Sequence, residues 1–148
     1  MVLHSEAFAP GAEIPSTYTC DGSDTAPPLS WSAIPAGARS LVLIVDDPDA
    51  PGGTWVHWIV YNLPPAAKNL APGGALPKGA LQGRNGWRKT AYGGPCPPSG
   101  RHRYSHRLYA LDTVLPDLQG PSKATLEQAM EGHVLAQAEL IGTYQRKR

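Results

Sequence analysis

A mainly antiparallel β domain with a C-terminal helix is predicted by three features of this sequence. Sixteen Gly and sixteen Pro make more than a fifth of the 148 residues turn formers, which favours short strands joined by ordered loops over a helical bundle. Two runs, SLVLIV at 40–45 and WVHWIVYNL at 55–63, are rich in β-branched and aromatic residues and are bounded by Asp, Pro and Gly, as strands are. Hydrophobic residues at 41% argue against a disordered chain. One domain, residues 1–148, accounts for this length, and a core of that size needs no metal or disulfide as a staple.

The elements follow in order. LSW at 29–31 is a short strand candidate. The 40–45 run stops at Asp46 and Asp47, so both carboxylates sit at a strand end. PDAPGG then turns the chain into the 55–63 strand, where strict alternation puts Trp55, His57, Ile59 and Tyr61 on one face. A helical turn is expected near 66–70 and a weak strand near 87–91. RYSHRLYAL at 103–111 reads as a third strong strand, with Tyr104, His106 and Leu108 sharing a face. From Ser122 to Leu140 the apolar residues fall near a 3.6-residue period, with Ser122 or Thr125 as N-cap and Gly132 as a break.

Charge is unevenly placed. Residues 1–49 hold seven acids and one base, whereas 50–111 hold eight bases and no acid. A segment of that kind attracts anions if it lines one surface, or is simply a solvated face balanced by acids from elsewhere. No run reaches the roughly 18 apolar residues of a membrane span, and the first residues lack a basic stretch followed by an apolar one. A soluble cytoplasmic protein without membrane insertion is therefore expected. Cys20 and Cys96 allow one bridge or two thiols, and a reducing compartment favours thiols.

His57, set among tryptophans, needs partners for its ring nitrogens if it is buried. The segment GGPCPPSGRHRYSH at 93–106 brings His102 and Tyr104 to the start of a strand behind a Pro-Gly loop, whose backbone N–H groups suit an anion. Four ordered motifs then carry a resemblance: DPDAP at 47–51, WVHW at 55–58, GGPCPP at 93–98 and GRHRY at 100–104. With IPSTYTCDG, PPLSW and AMEGHVLAQAELIGTY, they resemble the phosphatidylethanolamine-binding protein (PEBP) family, in its bacterial and archaeal Raf kinase inhibitor-like branch, from about Phe8 to Tyr144.

That resemblance implies a large central antiparallel sheet packed on a smaller one, flanking helices, and a small pocket for phosphate-like anions. Asp47, His57, His102 and Tyr104 match its pocket positions, and Gly94, Pro95 and Cys96 match the loop beneath the anion. It implies binding of a phosphate-bearing small molecule or a phosphorylated protein, regulation or inhibition of a kinase or protease, and a homodimer. No enzymatic turnover and no cofactor are expected. Each imidazole would hold an oxyanion by charge-assisted hydrogen bonds, with Asp47 orienting a ring, bonding a loop N–H or pairing a ligand amine. Arg103 is expected to pair with an acid such as Asp49, and Trp55 and Trp58 to be core.

Rival chemistries are weaker. His102 and His106, four apart on a strand, lie about 13 Å from each other, too far to share a metal ion. No GxSxG motif marks a serine hydrolase. Nucleic acid is not the expected partner of a basic segment whose aromatics are interleaved as strand core, and the terminal RKR is too short to change that.

Overall fold

The apolar run at 40–45 becomes the centre of the larger sheet. The computed structural model describes residues 1–146; Lys147 and Arg148, the end of the RKR sequence, lie outside the described residues. The elements are β1 Val2–His4, a 3₁₀ turn Ser16–Tyr18, β2 Leu29–Ser32, β3 Ser40–Asp47, β4 Trp55–Leu63, β5 Asn69–Leu70, β6 Leu81–Gln82, β7 His102–Leu111, α1 Lys123–Met130 and β8 Val134–Tyr144. Five strands form one sheet in the order β6-β4-β3-β7-β8, and three form a smaller sheet, β1-β2-β5. All neighbouring strands run antiparallel.

Strand β3 is buried at every position because both faces of the larger sheet are covered. On one side Leu43, Val45, Trp58, Val60 and Leu108 pack toward Leu3, Leu29 and Trp31 of the smaller sheet. On the other, Val42, Ile44, Ile59 and Tyr61 pack with Leu126 and Met130 of α1. Fully burying each such aliphatic side chain stabilises the fold by about 1.5–3 kcal/mol. The two layers therefore hold β3, β4 and β7 rigidly where their ends meet.

The helix expected over 122–140 is half helix and half strand. Ser122 caps α1, its Oγ accepting from Thr125 N at 3.2 Å. The helix ends at Met130, and Gly132 takes a φ of +78°, a conformation glycine adopts without steric cost. Beyond it, β8 pairs with β7 from Leu111↔Val134 to His102↔Tyr144. VLAQAEL fits a helical period, but this long ladder outweighs that local preference. Two smaller expectations also fail. Residues 66–70 carry the short strand β5 rather than a helical turn, and 87–91 form a turn rather than a strand.

Of the two states open to the cysteines, one bridge or two thiols, the structure has the bridge: Cys20 and Cys96 are joined by a disulfide, against the preference of a reducing compartment. The bridge ties the segment after the 3₁₀ turn to the Pro-Gly loop. Hydrogen bonds reinforce the same junction: Cys20 N to Pro95 O at 3.1 Å, and Tyr92 Oη to Tyr18 O at 2.6 Å. No described helix is long and apolar enough to cross a membrane.

Candidate anion site

Asp47 ends β3, and its pairing partner on β4 is Trp55. Between these ends and the sheet centre the register slips by one residue, from Asp46↔Val56 to Val45↔Trp58. His57 is the extra residue of this β-bulge, and a bulge re-aims the side chains that follow it. The strict alternation expected for β4 is therefore broken. Ile59 and Tyr61 join the α1 side of the sheet, whereas Trp58 and Val60 join the other side. His57 stays near Tyr104, with ring centroids 5.2 Å apart and planes nearly perpendicular.

The two imidazoles are held in the same way. His102 Nδ1 lies 2.6 Å from Asp47 Oδ2, and His57 Nδ1 lies 2.7 Å from the Gly93 carbonyl oxygen. Both acceptors need a proton on Nδ1, so the neutral rings carry it there and leave Nε2 bare. Neither Nε2 forms a hydrogen bond among the described residues. Asp47 also accepts Asp49 N on Oδ1 at 2.7 Å, combining turn capping with ring orientation. Tyr104 Oη is buried and lacks a hydrogen-bond partner among the described residues, a deficit that costs about 1–3 kcal/mol when nothing fills it.

These side chains border a cavity of about 550 Å³, closed further by the 50–54 and 96–98 loops and by Trp55 and Trp87. Among the described residues Asp47 is the only acid in the wall, and no Lys or Arg lines it. Burial pushes the His57 pKa down, against the smaller upward pull of the Gly93 bond and of Asp47. It pushes the Tyr104 hydroxyl up, so that group remains a donor at neutral pH. A dianion entering this cavity meets no fixed positive charge from the described residues, so a good fit to them requires a protonated imidazole or a protonated ligand oxygen.

Of the residues expected at the site, Asp47, His57, Cys96, His102 and Tyr104 line the cavity, and Gly94 and Pro95 do not. Gly94 N donates to Asp24 Oδ1 at 2.8 Å, and a Cβ there would collide with that carboxylate and with Tyr18 O. The Gly94 N–H is thus spent within the protein rather than offered to an anion. Cys96 borders the cavity as a half-cystine, not as a thiol. Arg103 faces away and grips Asp49 through Nε and Nη2, at 2.9 and 2.8 Å. That bonding holds the Asp49 carboxyl at a pKa of about 2. Trp58 is core, but Trp55 is 38% exposed and forms part of the cavity mouth. Sequence reasoning missed Trp87, assigned to a strand, and Gly93, whose role belongs to a backbone oxygen. Among the described residues no three His, Cys, Asp or Glu side chains are placed to share a metal ion.

A two-sheet β protein with a histidine-lined cavity at the ends of its central strands is the class these observations define. The phosphatidylethanolamine-binding protein family profile matches residues 4–145. A UPF0098 protein of Methanothermobacter thermautotrophicus is 53% identical over 150 residues, covering 99% of each chain. One from Chlamydia muridarum is 51% identical over 151 residues, again covering 99% of each. The crystal structure of a PEBP homologue from Chlamydia trachomatis superposes with a TM-score of 0.95 at 49% identity, covering 99% of this chain and 97% of that one. Escherichia coli YbcL superposes with a TM-score of 0.91 at 33% identity, covering 98% of each. The chain belongs to the phosphatidylethanolamine-binding protein family.

Proposed function

We propose that this protein binds the phosphate, or a similar oxyanion, of a small head-group-like ligand and does so without chemical turnover. One observation carries the reading: His57 Nε2, His102 Nε2 and Tyr104 Oη, three hydrogen-bonding atoms without partners among the described residues, belong to side chains of a single cavity. With the rings protonated, each charge-assisted bond contributes roughly 1.5–3 kcal/mol. The cavity exceeds the volume of a bare phosphate, leaving room for an amine against Asp47 or the tryptophan faces.

Calorimetric titration with phosphate, phosphoethanolamine and a phosphopeptide tests this. The reading expects the two small ligands to bind. Binding of the peptide alone would favour the other expectation from the sequence, a module that recognises phosphorylated proteins such as a regulated kinase or protease.

We also propose a homodimer, formed through β8. Between Val134 and Leu140 the outer edge of β8 has no strand partner among the described residues. Val134 and Leu135 at its start are 44% and 45% exposed. Its one charged side chain, Glu139, is paired with Arg107 at 3.3 Å, and an open edge of this kind can pair with a second copy of itself.

A further inference from the structure

No Lys or Arg among the described residues lines the cavity, but the turn that supplies Trp87 to its mouth carries three cations. Arg84, Arg88 and Lys89 line one shallow depression of about 700 Å³ together with Thr90, Gln119 and Gly120, with no acid among the described residues of its wall. Elsewhere Arg101, Arg103, Arg107, Lys123 and Arg146 each meet a carboxylate. Arg84, Arg88 and Lys89 form no ion pair among the described residues; Arg84 Nε instead bonds Gly120 O at 2.8 Å. Asp117 lines the neighbouring depression, which shares Thr90 and Gly120 with this one, and its Oδ1 accepts Gln119 N.

The turn is rigid. Asn85, which is buried, accepts Trp87 N and Lys89 N on Oδ1 and donates Nδ2 to Ala91 O, at 2.9, 3.1 and 2.8 Å. Gly86 N bonds Val56 O at 2.8 Å, and Trp87 packs edge-on against both Trp55 and His57 at 5.4 Å. Even so, Trp87 remains 43% exposed. Pre-organised like charges beside exposed aromatic surface repel one another in the free protein, and an anionic partner relieves that repulsion with little loss of entropy.

We propose that the Arg84–Thr90 turn is a docking surface for an acidic segment of a partner protein, which crosses Trp87 and covers the mouth of the cavity. A protein segment fits better than an anionic membrane. The cations lie in a depression, and the two indoles are packed against each other at the cavity wall instead of projecting as a bilayer anchor does. Docking itself does not depend on the anion reading; only its effect on the cavity rests on it.

Fluorescence anisotropy with a labelled Glu-rich peptide tests the proposal. The wild-type protein is expected to bind in a salt-sensitive manner, and the double reversal Arg88→Glu and Lys89→Glu to weaken binding by about tenfold or more. Calorimetric phosphate affinity should stay unchanged in that variant, because neither residue lines the cavity. Trp87→Ala should weaken the peptide as well. Peptide affinity indifferent to the reversal, no peptide binding at all, or sedimentation with phosphatidylglycerol vesicles in preference to the peptide would each overturn it. Peptide binding that persists when phosphate fails to bind would sink the cavity reading and leave the docking surface standing.

Discussion

The Asp47 carboxylate holds Nδ1 of His102 at 2.6 Å although 55 residues separate them in the chain, and both side chains are buried. A carboxylate cannot itself attract an oxyanion. Its contribution is to fix the ring and to stabilise the imidazolium once a ligand raises the demand for a proton. Asp47→Asn keeps the shape and removes the charge, so phosphate affinity should fall about tenfold while the near-UV circular dichroism is preserved. Calorimetry on the variant checks this.

Ligand binding should take up a proton at His57. Burial depresses its pKa below the ordinary value, so the free ring is neutral at pH 7, whereas a bound oxyanion favours the charged ring. Affinity should therefore increase as the pH is lowered from neutrality, and level off once the free protein's ring is already protonated. Calorimetry in buffers of different ionisation enthalpy would reveal the uptake directly. A pH-independent affinity, with no buffer dependence, would contradict it.

His106 predicts the acid sensitivity of the fold. Its Nδ1 faces Tyr104 O and Leu140 O at 3.1 and 3.2 Å, and burial pushes its pKa to about 4. In the unfolded chain the ring titrates near 6.5, so the unfolded state takes the proton first. Stability from this group is complete above about pH 6.5 and is lost as the pH falls toward 4, amounting to about 3 kcal/mol. His106→Gln, which cannot titrate, should show a smaller loss in urea unfolding between these limits than the wild type does.

The Cys20–Cys96 bridge closes a separation of 76 residues. Replacing both cysteines with Ser should cost about 2–4 kcal/mol in denaturant unfolding. The loops also meet through the Tyr92–Tyr18 and Gly94–Asp24 hydrogen bonds, so phosphate affinity should change far less than stability. The bridge also constrains the compartment. Reducing cytosol disfavours disulfides, so a cytoplasmic location requires a bridge that resists reduction, which unfolding with and without a thiol reductant measures.

Dimer formation should respond to a single outward amide. Ile141 and Thr143 direct their backbone groups to the 11–14 segment on the outer edge of β8, so Gln137, in phase with them, presents its N–H on that side. Gln137→Pro removes this donor without breaking the β7 ladder. Sedimentation should show a concentration-dependent dimer for the wild type and a monomer for the variant.

Strands β3, β4 and β7 were legible because their apolar runs are long and their ends are marked by Asp, Pro and Gly. The strand β8 was not, since Ala, Leu, Gln and Glu favour helix locally and only the ladder with β7 resolves the ambiguity. The site was legible in its side chains: Asp47, His57, His102 and Tyr104 meet at one cavity. The bulge at His57 and the Gly93 carbonyl were hidden, because one depends on the register between two strands and the other on a backbone atom that no residue type announces. The disulfide depended on two loops meeting in space, which spacing along the chain does not reveal.

Nitrogen-15 chemical shifts of the imidazole rings, followed by NMR during a phosphate titration, test the convergence of His57 and His102 most directly. Both Nε2 resonances should move together along one saturable curve, while both Nδ1 atoms keep the shifts of hydrogen-bonded donors. If phosphate saturates the protein and leaves either Nε2 unmoved, the two rings do not share an oxyanion.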